Sequence, residues 1–366
     1  MLDLALAGEQ VDAVITDPPY HLTSVVKRFG KEGAAPAKHG TDGLFARQSR
    51  GFMGKEWDGG DIAFQPETWR LAFDLLKPGG HLLAFGGSRT YHRMAVAIED
   101  AGFELRDTVM WLYGTGFPKS HDVSKGIDKM LGAEREKVAP KSVIGHQRNI
   151  GNVRPYMLDP NHMTVSDEPA SPEAAQWQGW GTALKPAFEP IIVARKPLAG
   201  TVAANVLAHG TGALNIDACR VQGEDNPVKW DKPRGGIWTT DSAATGTLVE
   251  NPAGRWPANV IHDGSEQVEA AFPGEAARFF YSAKASKADR ADSKHPTVKP
   301  LALMRYLCRL VTPPGGTVLD PFSGSGTTLQ AAMECGFNAI AIEREPEYQA
   351  DIRRRIDALE LESLCA

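Results

Sequence analysis

Apolar and polar positions follow two distinct patterns near both ends of the chain. Short, continuous apolar runs are typical of buried strands, and they predict strands at residues 11–16, 81–87, 105–114, 317–320 and 338–343. Segments in which apolar residues recur every three or four positions predict helices at residues 66–77, 90–100, 301–311 and 327–335. Strands and helices that alternate in this way predict an α/β fold with a mostly parallel sheet.

The middle of the chain lacks this regularity. Residues 115–176 are polar and contain scattered proline and glycine, so we expect a flexible basic loop region there. An apolar run at 188–197 indicates another core strand, whereas residues 200–283 are turn-rich and contain only short apolar pieces. Regular ends and an irregular middle predict one α/β core that carries an insertion.

The composition is that of an ordinary globular enzyme. Of 366 residues, 42 % are hydrophobic, and no apolar run reaches the roughly eighteen residues needed to cross a membrane. The N-terminal residues include acids where a signal peptide would carry basic residues, so we expect a cytoplasmic protein. The four cysteines show neither CxxC nor Cys/His spacing, which argues against a zinc site and a disulfide framework.

Charge is distributed unevenly along the chain. The formal net charge of −5 argues against a surface that binds nucleic acid all over, but it permits a local basic face. Basic residues outnumber acidic ones between residues 119 and 154. Within that stretch, Lys119, Lys125, Arg148 and Arg154 are candidates for contacts to DNA phosphates, and solvated surface positions are the alternative.

The C-terminal sequence TVLDPFSGSGTT predicts a nucleotide-type pocket. A strand leads into FSGSG and then into a helix, so Gly324 and Gly326 lie where the backbone must turn tightly and approach a ligand closely. Glu343 ends the next strand, at about the spacing from which a carboxylate reaches ribose hydroxyls. No lysine precedes Thr327, which argues against a P-loop, and a glycine turn without a ligand is the alternative.

The sequence DPPY follows the first predicted strand and indicates a site for hydrogen-bond acceptors. Pro18 and Pro19 have no N–H groups, so this loop presents carbonyls and the Asp17 carboxylate. The exocyclic amino group of a nucleobase is a poor nucleophile because its lone pair is delocalised into the ring. Asp17 and the Pro18 carbonyl are suited to bind both of its hydrogens and so localise the lone pair, with Tyr20 stacked on the base.

Together these residues resemble the S-adenosylmethionine-dependent DNA amino-methyltransferases, which modify adenine N6 or cytosine N4. The resemblance is carried by DPPY at 17–20, HPTVKP at 295–300 and LDPFSGSGTT at 319–328. The catalytic motif precedes the cofactor motif, which resembles the permuted β arrangement of the family. This implies a Rossmann-like methyltransferase fold, a doubly wound and mostly parallel sheet with an inserted target-recognition region.

The pattern and the resemblance together divide the chain into five parts. We expect a catalytic half of the core at 1–114, the flexible basic loop at 115–176, a core strand region at 177–199, a target-recognition region at 200–283 and the cofactor half at 284–366. A catalytic loop and a cofactor loop far apart in sequence can share one crevice, because the carboxyl ends of neighbouring parallel strands meet at one edge.

The resemblance implies S-adenosylmethionine as cofactor, double-stranded DNA as substrate, and no metal. It assigns Asp17, Pro18, Pro19 and Tyr20 to the target base, and places Lys299 near the cofactor carboxylate. The positions expected to bind the cofactor are Thr297, Lys299, Asp320, Phe322, Ser323, Gly324, Gly326, Thr327 and Glu343. We expect the target base to be extruded from the duplex before reaction.

Several alternatives remain open at this stage. Asp at the first position of DPPY favours adenine N6, since family members with Asp there mostly modify adenine, and cytosine N4 is the alternative. RNA bases and protein glutamine are less favoured substrates, because those enzymes usually have Asn at that position and the opposite motif order. An inactive DNA-binding relative is a further alternative. The resemblance also leaves open a restriction endonuclease partner, an orphan enzyme, and a homodimer.

Overall fold

The computed structural model describes residues 7–8, 10–20, 61–114, 116, 120–138, 164–221, 229–230, 248–249, 254–271, 280–282, 284–293, 295 and 297–365. The chain forms two compact units. The larger unit combines Met1–Gly114 with Phe188–Ala366, and the smaller unit is Thr115–Ala187. Within the described part of the chain, no helix is both long enough and apolar enough to span a membrane.

Twelve strands are present in the described residues. In chain order, β1 to β12 are Val11–Thr16, Leu76–Phe85, Glu104–Leu112, Lys137–Val138, Thr164–Val165, Phe188–Arg195, Lys229–Trp230, Leu248–Val249, Val260–His262, Phe280–Tyr281, Thr317–Asp320 and Asn338–Ala341. Eight of them form one sheet in the order β10-β9-β3-β6-β2-β1-β11-β12. Its strands run parallel except β6, which is antiparallel to both neighbours, and this confirms the predicted α/β fold.

The α-helices of the described residues follow the strands of this sheet or belong to the smaller unit. In chain order, α1 to α10 are Pro66–Leu75, Tyr91–Asp100, Val123–Leu131, Pro172–Ala175, Val202–His209, Glu266–Glu269, Lys287–Arg290, Leu301–Val311, Thr327–Glu334 and Pro346–Cys365. Two short 3₁₀ helices lie at Ile62–Phe64 and Asp217–Cys219.

Apolar clusters cover both faces of the sheet, as parallel strands require. Successive residues of a strand point to opposite faces, so Ala13 and Ile15 of β1 belong to one cluster and Val14 belongs to the other. The first cluster includes Leu303 and Leu307 of α8. The second includes residues of α1 and α2. Helices on both faces therefore bury every residue of β1.

The boundary between α1 and β2 differs from the predicted one. The helix was expected to continue to Lys77, but it ends at Leu75 and β2 begins at Leu76. Pro78 disfavours helical geometry in the residue before it, which explains the early end of the helix. Gly79 has a φ of +77°, and the pairing of β2 with β1 shifts register here before it becomes regular at His81.

Two strands of the main sheet come from the region that sequence analysis assigned to target recognition. Within residues 200–283, the apolar piece TVAANVL contributes most of α5, and PANVI leads into β9. Strand β9 pairs with β3, and β10 pairs with β9. The short strands β7 and β8 pair only with each other. Much of this region lies outside the described residues.

The smaller unit contains helices where a flexible loop was expected. Its described part includes α3 and α4. The buried residues of α3 are Ser124 and Asp128, whereas Met130 and Leu131 are exposed. Asp128 forms a buried ion pair with Arg135, with 2.6 Å between Oδ2 and Nε. Hydrophobic periodicity could not predict this arrangement because the buried face is polar.

The described residues 177–187 belong to this smaller unit, although sequence analysis grouped them with the strand that follows. The rings of Trp177 and Trp180 pack edge to face there, with centroids 5.1 Å apart. Strand β6 begins immediately after the unit, at Phe188.

We predict that His81 makes the protein less stable in mild acid. Burial, together with Arg195 and Arg106, lowers the pKa of His81 from 6.5 to about 4. Between these values the unfolded chain binds a proton that the folded chain excludes. Stability is therefore fully present above pH 6.5 and is lost as the pH falls toward 4, by up to about 3 kcal/mol.

Urea unfolding of the wild type and of His81→Gln, at a series of pH values from about 7 to about 4, measures this contribution. The variant should lose less stability over that range because glutamine does not titrate. An equally steep loss in the variant would contradict the assignment to His81.

Candidate active site

One cavity of about 790 Å³ lies at the carboxyl ends of the parallel strands β1, β11 and β12. It is lined by residues 17–20 after β1, by residues 297–299, by residues 320–325 after β11 and by residues 343–345 after β12. Glu189 of β6 also lines it. Ligands of open α/β sheets bind at this edge, so the cavity is the candidate active site.

The DPPY loop is fixed by its surroundings. Pro18 and Pro19 are buried directly after β1. The hydroxyl of Thr90 donates a hydrogen bond of 2.9 Å to the carbonyl of Tyr20. A Cβ atom built on Gly87 would lie 3.3 Å from the Tyr20 ring, so this glycine gives the ring its space. The loop is therefore held at both ends.

Asp17 accepts hydrogen bonds from two side chains. The Tyr20 hydroxyl donates to Oδ1 at 2.7 Å, and the Lys299 ammonium donates to Oδ2 at 2.6 Å. A carboxylate has about four lone-pair positions, so both oxygens keep capacity for a further donor. The Asp17 side chain is 19 % exposed and lines the cavity.

Glu189 is a residue of this site that sequence reasoning missed. Its Oε2 lies 3.3 Å from the Lys299 ammonium and 3.4 Å from the Tyr20 hydroxyl. Because β6 is antiparallel to its neighbours, its first residues lie where the parallel strands end, and Glu189 pairs with Trp111 near the end of β3. The available signal was an acid at the start of an otherwise apolar strand.

Lys299 lies between these two carboxylates. Burial would lower its pKa, but Asp17 and Glu189 outweigh burial and raise the pKa above its ordinary value. The ammonium also lies 4.8 Å from the centroid of the Phe85 ring. Sequence analysis placed this lysine near the cofactor carboxylate, whereas in the structure it donates to Asp17.

A direct contact joins the ends of β1 and β11, the strands that precede the DPPY and FSGSG loops. Thr16, the last residue of β1, donates a hydrogen bond of 2.6 Å to Oδ1 of Asp320, the last residue of β11. The backbone N–H of Phe322 donates to the same oxygen at 3.1 Å. Burial raises the pKa of Asp320 to about 6, although these hydrogen bonds oppose the increase.

The FSGSG loop has the backbone conformation that its glycines suggested. Gly324 and Gly326 have φ values of +50° and +81°, which side-chain-bearing residues rarely adopt. A Cβ atom at Gly324 would lie 3.0 Å from the His295 ring. Gly326 was expected to approach the cofactor, but its close neighbour is Ile352 of α10, 2.8 Å from a Cβ atom built there.

Glu343 lies beside this loop, just after β12. Its Oε2 accepts a hydrogen bond of 2.7 Å from the N–H of Gly324, and its Oε1 accepts one of 2.8 Å from the N–H of Glu345. Burial raises the pKa of Glu343, and the backbone hydrogen bonds oppose the increase. The carboxylate is thus oriented by main-chain donors and faces the cavity.

The residues present fit an S-adenosyl group. Ser323 is buried at the cavity wall, and its Oγ has no hydrogen-bond partner within the described residues. Thr297, Phe322 and Thr327 also line the cavity. An unpartnered hydroxyl for the amino-acid part and a carboxylate for ribose hydroxyls are the donors and acceptors that such a cofactor needs.

The predicted DNA-contacting residues can be located only in part. Lys125 is described, and its ammonium lies 2.7 Å from Asp167 and 4.0 Å from Asp122 on an exposed surface of the smaller unit. Lys119, Arg148 and Arg154 lie outside the described residues.

Comparisons with known proteins identify the family of the chain. A family model described as DNA methylase, for N6 and N4 methyltransferases, matches residues 11–354. The type II methyltransferase M.HindIII of Haemophilus influenzae is 25 % identical over 358 residues, which cover 93 % of this chain and 86 % of that protein.

Two solved structures overlap loosely with the chain. The complex of M1.HpyAVI with S-adenosylmethionine is 18 % identical, with coverage of 97 % and 93 % and a TM-score of 0.43. The cytosine-N4-specific PvuII DNA methyltransferase is 14 % identical, with coverage of 95 % and 79 % and a TM-score of 0.42. The match of the family model over residues 11–354 shows that this chain belongs to the N6 and N4 DNA methylases, the S-adenosylmethionine-dependent DNA amino-methyltransferases.

Proposed function

We propose that the chain transfers a methyl group to adenine N6 of a specific DNA sequence. The observation that carries this proposal is the position of the Asp17 carboxylate, which opens onto the same cavity as the FSGSG loop. The group that we assign to the target and the loop that we assign to the cofactor thus line one cavity. The proposal concerns the identity of the base and the roles of the individual residues.

The acceptor geometry of the DPPY loop suits an amino group. Asp17 and the Pro18 carbonyl offer acceptors from adjacent residues, and a rigid proline backbone keeps them together. When both amino hydrogens are bound, the nitrogen lone pair is directed away from the ring and toward the cofactor. The Tyr20 hydroxyl is bound to Asp17 at 2.7 Å, which fixes the ring that would stack on the base.

An extruded base fits the dimensions of the site. A cavity of about 790 Å³ lies in the upper part of the usual range for small-molecule sites. Extrusion is needed because the reacting amino group is inaccessible inside the duplex. We therefore assign the part of the cavity beside Tyr20 to the base.

The part of the cavity beside the FSGSG loop is assigned to the cofactor. When bound, S-adenosylmethionine supplies an electrophilic methyl group on a positively charged sulfur. Glu343 would accept hydrogen bonds from the ribose hydroxyls, and Ser323 would bind the amino-acid part. Asp320 lies between the two parts, near Thr16, and we assign it to the orientation of both loops.

The choice of adenine rests on Asp17. Family members with Asp at the first position of this motif mostly modify adenine, whereas cytosine N4 enzymes mostly have Ser.

We further propose that residues 200–283, together with the basic stretch 115–160, select the DNA sequence. Strands β9 and β10 belong to the main sheet, so this role is proposed for the rest of residues 200–283, because irregular segments on a rigid scaffold are suited to groove reading.

We predict that Asp17→Asn lowers kcat for methyl transfer by about 10- to 100-fold, since one charge-assisted hydrogen bond to the target is worth about 1.5–3 kcal/mol. The dissociation constant for S-adenosylmethionine, measured by calorimetry, should change by less than about 3-fold, because Asp17 is assigned to the base. Asp100→Asn, on an exposed helix end, is the matched control. Loss of cofactor affinity in parallel with activity would refute the role assigned to Asp17.

We predict the opposite pattern for Glu343→Gln. Replacing the carboxylate with a neutral amide of similar shape weakens its hydrogen bonds to ribose, so the dissociation constant for S-adenosylmethionine should rise about 10-fold or more. Calorimetric titration measures the change, and Glu99→Gln, at an exposed position of α2, is the control. Wild-type affinity in Glu343→Gln would rule out the ribose contact.

We predict that label from methyl-labelled S-adenosylmethionine appears in N6-methyladenine. After reaction with genomic DNA, enzymatic digestion and mass spectrometry separate the modified nucleosides, and a parallel reaction without the protein gives the background. Label in N4-methylcytosine alone would exclude adenine as the target while leaving DNA amino-methylation intact.

A further inference from the structure

One of the carboxylates that line the cavity, that of Glu189, has no role in the proposed function. We propose that Glu189 is a positioning residue for methyl transfer, which acts through Lys299 to hold the Asp17 carboxylate in its reactive orientation. This inference rests on the proposed function of the site, because it concerns how Asp17 is aimed at the target nitrogen.

The contacts form a chain from Glu189 to Asp17. The Lys299 ammonium is 3.3 Å from Glu189 Oε2 and 2.6 Å from Asp17 Oδ2. A lysine side chain is a flexible four-carbon stem, so one hydrogen bond to Asp17 would let the ammonium and that carboxylate move together. The second contact, to the Glu189 carboxylate, restricts the ammonium to one position. Asp17 then accepts a hydrogen bond from an ammonium whose position is set by Glu189 of β6.

Glu189 is itself rigidly placed. It lies on β6, opposite Trp111 of β3, within the hydrogen-bonded sheet. The buried Tyr113 hydrogen bonds to it, and the Tyr20 hydroxyl lies 3.4 Å away. Catalytic groups need supporting residues fixed by packing and secondary structure, and a strand meets this requirement better than a loop.

The charges around Lys299 also favour the reaction. Two carboxylates and one ammonium leave the cluster with a net charge of about −1 beside the target nitrogen. That nitrogen becomes positively charged as it receives the methyl group and remains so until it loses a proton. A fixed negative charge stabilises this nitrogen more than it stabilises the neutral amino group, so the Asp17 carboxylate contributes most to the transition state when Glu189 holds Lys299, and through it Asp17, in place.

The experiment compares the kinetics of Glu189→Gln with those of the wild type, on DNA that the wild type methylates. Glutamine keeps the shape of the side chain and removes its charge. We expect kcat to fall about 10- to 50-fold, while KM and the dissociation constant for S-adenosylmethionine change less than about 2-fold. The matched control is Glu104→Gln, at the other end of the same strand pair, where Glu104 binds Arg195 at 2.6 Å. It should leave kcat unchanged.

A double-mutant cycle with Lys299→Met tests whether Glu189 acts through the lysine. If it does, Glu189→Gln should lower kcat less than about 3-fold in the Lys299→Met background. An equal loss in both backgrounds, an unchanged kcat in Glu189→Gln alone, or a parallel loss of cofactor affinity would each overturn the inference. A wild-type protein that methylates no DNA would instead overturn the proposed function, and this inference with it.

Discussion

The parallel pairing of β1 with β11 is the constraint on which the active site depends. Some three hundred residues separate these strands in sequence, yet Ala13 pairs with Val318 and Val14 with Leu319. This register brings their ends together, where Thr16 binds Asp320 at 2.6 Å. A shift of one residue would turn the side chains of β1 to the opposite face and separate the two loops that follow. The apolar clusters on both faces make such a shift costly.

The antiparallel strand β6 has a complementary role. Parallel strands deliver their last residues to the cavity edge, whereas a reversed strand delivers its first ones, and this is how Glu189 comes to the site. Asp17, just after the end of β1, and Glu189, near the start of β6, can therefore contact the same lysine. Strand β6 thus supplies a second acid beside Lys299, in addition to Asp17, which follows the parallel strand β1.

Local motifs could be interpreted from the sequence because their chemistry is carried by adjacent residues. Neighbouring residues were sufficient to interpret the two consecutive prolines, the FSGSG glycines and the helix Leu301–Val311. The ion pair between Lys299 and Asp17 could not be predicted, since it depends on how distant segments approach each other. The smaller unit was missed because Asp128 and Arg135 are buried while neighbouring apolar side chains are exposed.

The carboxylates around the cavity are held in different ways, and the difference suits the partners proposed for them. Asp17 accepts hydrogen bonds from the Lys299 ammonium and the Tyr20 hydroxyl, so side chains hold its carboxylate. Glu343 accepts hydrogen bonds from the backbone N–H groups of Gly324 and Glu345, so the main chain holds its carboxylate. A carboxylate oxygen that already accepts one hydrogen bond still has a lone-pair position for a ligand. The two kinds of support therefore fix the direction of both carboxylates without using up their acceptor capacity, as the amino group proposed for Asp17 and the ribose hydroxyls proposed for Glu343 require.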